Sequence, residues 1–278
     1  MDSSHLPTDH FAKSTRFTKD LYYDVYPSVD PSTAPLSQQG KVVLITGASS
    51  GIGRHGIAMS FAKAGARVLI LAGQNKQGLK PAAAEINAVG LAVQTDVRVI
   101  NINDAIGVKN AFIDLRETYD RIDILVNNAG SGDSPLPIIE VEAAEWWYNF
   151  EVMVKGTFFM THRIKHDSLS VKLLALQTLL DPTPSLCLSR ISNVRAVGLH
   201  PGILMIRMTP IAFQRFARDT FELVGGVTVW LATERAAFMN GRYMSVNWSV
   251  GELLERKKEI VSDVLLEIAV RGKSGHCQ

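Results

Sequence analysis

Residues 46–53 read TGASSGIG, with glycines at Gly47, Gly51 and Gly53. The apolar run KVVLITG leads into this loop, and the helical pattern GRHGIAMSFAKAG leads out of it. Glycine turns tightly and lets backbone approach a phosphate with no Cβ in the way. A helix that starts there offers free N–H groups and the positive end of its dipole to a pyrophosphate. Strand, glycine loop and helix in that order predict dinucleotide binding, with Gly47, Ser49, Ser50, Gly51, Ile52 and Gly53 as contacts. A carboxylate is expected about 20 residues on, at the end of the second strand, to hold a ribose 2′-hydroxyl. That place reads AGQNK (72–76) and has no acid. Lys76 and Arg54 lie near it as cations for a 2′-phosphate. The missing acid, more than the bases, favours NADP(H) over NAD(H); solvated surface charge is the other reading of both cations.

The elements that must position this loop alternate. After the strand at 41–47 and the helix at 53–65 come a strand (67–73), a helix (79–90), a strand (91–97), a helix (102–119) and a strand (121–130). That order predicts βαβ units and a parallel sheet buried on both faces, a doubly wound α/β fold in one domain. Residues 1–39 show no helical or strand period and are predicted to form a poorly structured arm ahead of a domain over 40–278.

Composition narrows the function. The chain has 278 residues, 46% hydrophobic and 20% charged, with a formal net charge of +2. This is ordinary for a globular protein and too weakly basic to argue for nucleic acid or an anionic membrane surface. No apolar run approaches the roughly 18 residues of a membrane helix. MDSSHLPTDH lacks the basic region of a secretory signal, and Cys187 and Cys277 form no CxxC. A cytoplasmic, reduced protein is expected.

TGASSGIG together with NNAG (127–130), Asp96 in TDV and Pro201-Gly202 in HPG resembles the short-chain dehydrogenase/reductase family from about 40 to 260. GRYMSVNWSVGELLERKKEI (241–260) resembles a fungal branch associated with secondary metabolism. The resemblance implies a Rossmann fold that interconverts a ketone and an alcohol on a small-molecule substrate, and commonly a homo-oligomer. It implies cofactor contacts at Asp96, near the adenine, at Asn128, Ala129 and Gly130, and at Pro201, Gly202 and Leu204. The family's chemistry needs a tyrosine to move the proton and a lysine four residues later. The lysine's charge lowers a phenol pKa that is otherwise near ~10. A serine holds the carbonyl oxygen, and an asparagine on the preceding helix holds a relay water.

This chain departs from that pattern. In KHDSLSVKLLAL (165–176), Lys172 resembles the family lysine and also a cofactor contact, at the head of a predicted helix over 168–180. Ser168 stands where tyrosine is expected, and serine has neither the acidity nor the reach. Beyond NNAG only Tyr148 and Tyr243 occur, neither placed to serve. Met153 replaces the asparagine, and Ile206 the threonine after HPG. One helix over 142–166 followed directly by another leaves no room for a strand before NVRAVGL (193–199). The fifth strand is therefore predicted missing, with SLCLSRI (185–191) as a makeshift substitute. A catalytically impaired dinucleotide-binding protein, or a truncated or mis-spliced product, is the alternative reading. His162 and His166 in HRIKH have helical spacing but no third ligand, so no metal site is expected. WWYNF (146–150) reads as core and interface packing, with the lining of a substrate pocket or a subunit contact as the alternative, and ERKKE (255–259) reads as a solvated face.

Overall fold

The computed structural model describes residues 5–89, 92–132, 138–167, 171–176 and 194–267. Seven parallel strands form one sheet in the order β3-β2-β1-β4-β5-β6-β7. They are β1 (Val42–Thr46), β2 (Val68–Gly73), β3 (Gln94–Val99), β4 (Ile124–Asn127), β5 (Val171–Leu176), β6 (Val194–His200) and β7 (Tyr243–Ser245). The strand order reverses direction between β1 and β4. That switch point is where a doubly wound sheet opens a crevice beyond its strand C-termini.

The central strands are apolar throughout because both faces are covered. Side chains alternate between faces. Val43, Ile45, Leu69 and Leu71 enter one core, and Val42, Leu44, Val68 and Ile70 the other. We number as α1 the turn His10–Ser14 and as α2 the π-helical Ile52–Ala58 that runs on into Met59–Lys63. Helices α3 (Lys76–Ala88) and α4 (Ala105–Tyr119) follow. Helix α5 is continuous through Ala143–Phe150, a π-helical Glu151–Gly156 and Thr157–Asp167. Then come α6 (Ile211–Gln214), α7 (Phe221–Leu231), α8 (Val250–Glu255) and α9 (Lys257–Ser262). Helices α2 and α7 pack backbone to backbone: a Cβ on Gly56 would lie 2.7 Å from the Phe221 carbonyl oxygen, and one on Gly225 would collide with Ser60 and Gly56.

Two expectations are corrected. The fifth strand is present, and it is built from the residues assigned to a helix. VKLLAL pairs with β4 (Ile124↔Lys172, Asn127↔Ala175) and with β6 (Val171↔Val194, Leu176↔Leu199). A short apolar run has no decisive period, and a strand buried in a parallel sheet shows no alternation. Two neighbouring ladders decide its state. Residues 177–193, SLCLSRI among them, lie outside the described residues.

The N-terminal segment is also ordered, from residue 5 onward. Val29 and Leu36 are buried, and Tyr26 stacks on Tyr22 at 3.6 Å between ring centroids. The Tyr26 hydroxyl accepts from the Val250 amide at 2.9 Å, and Leu21 bridges to Trp248. The segment shows no period because it is a strap: apart from the short turns His10–Ser14, Pro27–Val29 and Ala34–Leu36, side chains and single bridges hold it.

Candidate functional site

Three loops meet beyond the C-terminal ends of β1, β4 and β6. The first is the glycine loop. Gly47 has φ +68° and Gly51 φ +54°, a region that non-glycine residues avoid. Gly47 and Gly53 are also closed in by neighbours. A Cβ on Gly47 would lie 2.9 Å from Ala129 Cα, and one on Gly53 would lie 2.5 Å from both Asn128 Nδ2 and the Gly47 oxygen. Gly51 and Gly130 differ. Beside Gly51 only Ile206 Cγ2 comes within 4 Å, at 3.9 Å, and beside Gly130 nothing does. The loop is therefore packed from beneath and open on its outer side, where backbone could approach a phosphate.

Thr46 and Asn128 lock the first loop to the second. Thr46 Oγ1 accepts from the backbone N–H groups of Asn128 (3.0 Å) and Ala129 (2.9 Å). Asn128 Nδ2 donates to the carbonyls of Thr46 (2.9 Å) and Gly47 (3.3 Å). Sequence reasoning missed Thr46. Its signal was a hydroxyl residue on the last position of an otherwise aliphatic strand. Ser49 packs under the start of α3, where a Cβ on Gly78 would lie 2.9 Å from its carbonyl oxygen. Ser50 accepts from the Arg54 amide at 3.3 Å, and Ile52 begins α2 with its flank against the apolar core.

The third loop follows β6. Gly202 has φ +77°. Its amide donates to His200 Nδ1 at 3.1 Å, and burial depresses the His200 pKa. Pro201 is half-buried and Leu204 buried. Ile206 reaches over Gly51, and Met208 lies where a Cβ on Gly132 would be, 2.8 Å from its Cε.

The structure moves two sequence-predicted residues away from this crevice. Asp96 lies in the middle of β3, paired with Ile70, whereas Thr46 pairs with Ala72 and Ala72 with Arg98. Asp96 is thus set back from the strand's end. Its carboxylate is taken by Arg98 Nε at 2.8 Å and the Tyr119 hydroxyl at 2.9 Å. Strand β3 continues two residues past TDV, which the motif alone did not reveal. Lys172 is a strand residue level with Ile124 and Arg195, near the N-terminal end of β5. The level of Asn127, at Ala175, is three residues further on, about 10 Å at strand rise. Lys172 stands on a strand and not at the head of a helix, and Ser168 lies outside the described residues.

The second strand's end bears on cofactor choice. Between Gly73 and α3, Gln74 bonds to Asn101 at 3.0 Å and Asn75 caps α3 through the Gly78 amide. Lys76 is exposed. Arg54 is engaged: its Nε donates to Glu85 Oε2 at 2.8 Å and its Nη2 to Glu85 Oε1. The hydrogen bond from Arg54 holds the Glu85 carboxyl below its usual range.

Helix α5 borders the crevice with Asn149, whose Oδ1 accepts from Ser131 Oγ at 2.7 Å. Its π-helical turn contains Met153, where the relay asparagine was expected. The protein has six tyrosines, and none is followed four positions later by lysine. Tyr148 is 41% exposed on α5, and Tyr243 sits on β7 with its pKa raised by burial. Among the described residues no His, Cys, Asp and Glu side chains gather as a metal site, and no helix is long and apolar enough to cross a membrane.

Known proteins resemble this chain in sequence and in fold. The short chain dehydrogenase family profile matches residues 41–168. The short chain dehydrogenase citE of Monascus ruber is 30% identical over 290 residues, covering 93% of this chain and 98% of citE. The short chain dehydrogenase andI of Emericella variicolor is 28% identical over 286 residues, covering 92% and 96%. The citE comparison spans more residues than this chain possesses, so the relative carries positions with no counterpart here. Among solved structures, the oxidoreductase yciK from E. coli superposes with a TM-score of 0.68 at 20% identity, over 76% of this chain and 97% of that one. A short-chain dehydrogenase/reductase from Brucella melitensis gives 0.68 at 21%, over 77% and 98%. The chain belongs to the short-chain dehydrogenase/reductase family, of fungal type, an oxidoreductase family acting on CH–OH and C=O groups.

Proposed function

We propose that this chain binds NADP(H) across the β1/β4 switch point and serves a ketone/alcohol pair of a small apolar metabolite, at a rate held far below that of an intact family member. The observation that carries the binding half is the Thr46–Asn128 lock, which holds the glycine loop packed beneath and open above. The dinucleotide would lie against Gly47, Ser49, Ser50, Gly51, Ile52 and Gly53, with Asn128, Ala129 and Gly130 on one flank and Pro201, Gly202 and Leu204 on the other. Hydride exchange is the chemistry it supplies when bound.

The apolar substrate reading is supported by Met205, Met208, Ile211 and Phe213. All four are exposed on the segment that also carries Ile206 over Gly51. A role in secondary metabolism rests on the resemblance of GRYMSVNWSVGELLERKKEI (241–260) to a fungal branch; the short chain dehydrogenase relatives citE and andI are fungal. NADP(H) over NAD(H) rests on the absence of a carboxylate at 72–76 and on Lys76.

The impaired rate follows from proton transfer. Reducing a ketone requires a proton at the developing alkoxide, and a phenol near pKa ~10 needs an adjacent cation to deliver it at neutral pH. The sequence contains no such tyrosine–lysine pair, and Lys172 is given no role in our reading. Titration of the purified protein with NADPH and NADH, read by nicotinamide fluorescence, tests the binding half. NADPH should bind severalfold more tightly than NADH. Equal affinities would overturn the cofactor preference, and no binding of either would overturn the reading.

A further inference from the structure

A chain of hydrogen bonds joins the loop after β6 to the N-terminal strap. The Ile203 amide donates to Asp219 Oδ2 at 2.6 Å, and the Asp219 amide donates back to the Ile203 carbonyl at 3.3 Å. Asp219 Oδ1 accepts from Asn247 Nδ2 at 2.5 Å. The same Nδ2 donates to the Tyr22 carbonyl at 2.9 Å, while the Tyr22 amide donates to the Asn247 carbonyl at 2.8 Å. Gly202, at φ +77°, lies directly against the Asp219 carboxylate, where a Cβ would collide with it. Asp219 thus fills the inside of the turn that starts the loop.

We propose that Asp219 is a positioning residue for the cofactor-bordering loop 201–206, and that Asn247 is the side chain that orients it. The inference rests on the reading that this loop borders the dinucleotide.

The chemistry explains why an aspartate is used. Two donors from different elements converge on its two oxygens, so the group between them must accept at both. Asparagine would turn one N–H₂ group toward another. Asn247 cannot rotate to relieve this, because its Oδ1 accepts from Ser245 Oγ at 3.1 Å and its Nδ2 serves Tyr22. A half-buried carboxylate is costly unless donors meet it, and here they come from the loop and from the residue that anchors the strap. The charged and titratable groups around it are Arg218, Tyr23 and His200. The Arg218 guanidinium lies over the Tyr23 ring at 4.2 Å, and His200 receives the neighbouring Gly202 amide.

The test uses the full chain with Asp219→Asn and, separately, Asn247→Ala. The first removes an acceptor from the inside of the turn, and the second removes the donor that orients the carboxylate. Amide exchange over 201–206 is followed by mass spectrometry, with β1 as the folding control, beside NADPH affinity. Asp219→Asn should speed exchange at Ile203 by roughly tenfold or more, the scale of a lost charge-assisted bond, and weaken NADPH binding. β1 protection should be unchanged, and Asn247→Ala should give a smaller increase at the same amide. Wild-type exchange and affinity in Asp219→Asn would overturn the proposal, as would wild-type exchange at Ile203 in Asn247→Ala. If the wild type binds neither NADPH nor NADH, the reading of the site fails, and the exchange measurement still decides whether Asp219 holds the loop.

Discussion

The Thr46 hydroxyl oxygen accepts two consecutive backbone amides, those of Asn128 and Ala129, at 3.0 and 2.9 Å. Through it the end of β1 and the chain leaving β4 become one rigid floor under the glycine loop. The hydroxyl also donates to the Val126 carbonyl at 3.4 Å, and Thr46 is 1% exposed, so no water can substitute.

Thr46→Val keeps the volume and removes the oxygen, leaving two part-buried N–H groups without that acceptor. Each such loss costs on the order of 1–3 kcal/mol. Urea denaturation should therefore show a destabilisation of about 2 kcal/mol or more. Thr46→Ser, which keeps the hydroxyl, should lose clearly less. NADPH affinity should fall in the valine variant beyond what its stability change explains.

Glu85 competes for the cation that could serve a 2′-phosphate. An exposed ion pair of this kind is worth roughly 0–1 kcal/mol, so removing it costs little stability. Glu85→Ala should free Arg54 and tighten NADPH binding a few-fold while leaving NADH binding unchanged. Parallel titrations of the two cofactors check this.

The Asp219 carboxyl is raised by burial to about 6, against the lowering effects of the Ile203 amide and Asn247. A carboxyl raised on folding binds its proton more tightly in the native state than in the unfolded one, so stability falls as pH rises through that window. Its contribution is fully present below the unfolded value near ~4 and is lost as pH passes about 6. Asp219→Asn should remove this dependence. Stability curves from pH 4 to 7.5 should therefore show a fall through this window in the wild type that is missing from the variant, whichever curve lies higher.

Much of this molecule is legible in its sequence, and the exceptions share a cause. The βαβ order from Val42 to Asn127 follows from local periodicity and from glycines that only a turn requires. The glycine loop is legible because its chemistry is encoded within eight consecutive residues. VKLLAL has no decisive pattern of its own, and its strand state is fixed by β4 and β6. The expected role of Lys172 depends on a helix that its strand replaces. Asp96 stands back from the end of β3 because strand length past a motif is a tertiary matter. Thr46, Asp219 and Asn247 join segments far apart in sequence, and no spacing rule finds such partners. The absence of a tyrosine–lysine pair, by contrast, is a property of the sequence itself and does not depend on any element assignment.

The central claim is a cofactor site kept intact where the proton-transfer pair is lost. Its most direct test is stopped-flow oxidation of NADPH by saturated enzyme mixed with a panel of small apolar ketones. The account predicts that bound NADPH disappears at a rate far below the ordinary enzymatic range. Turnover in the ordinary enzymatic range, about 1–10³ s⁻¹, would contradict it.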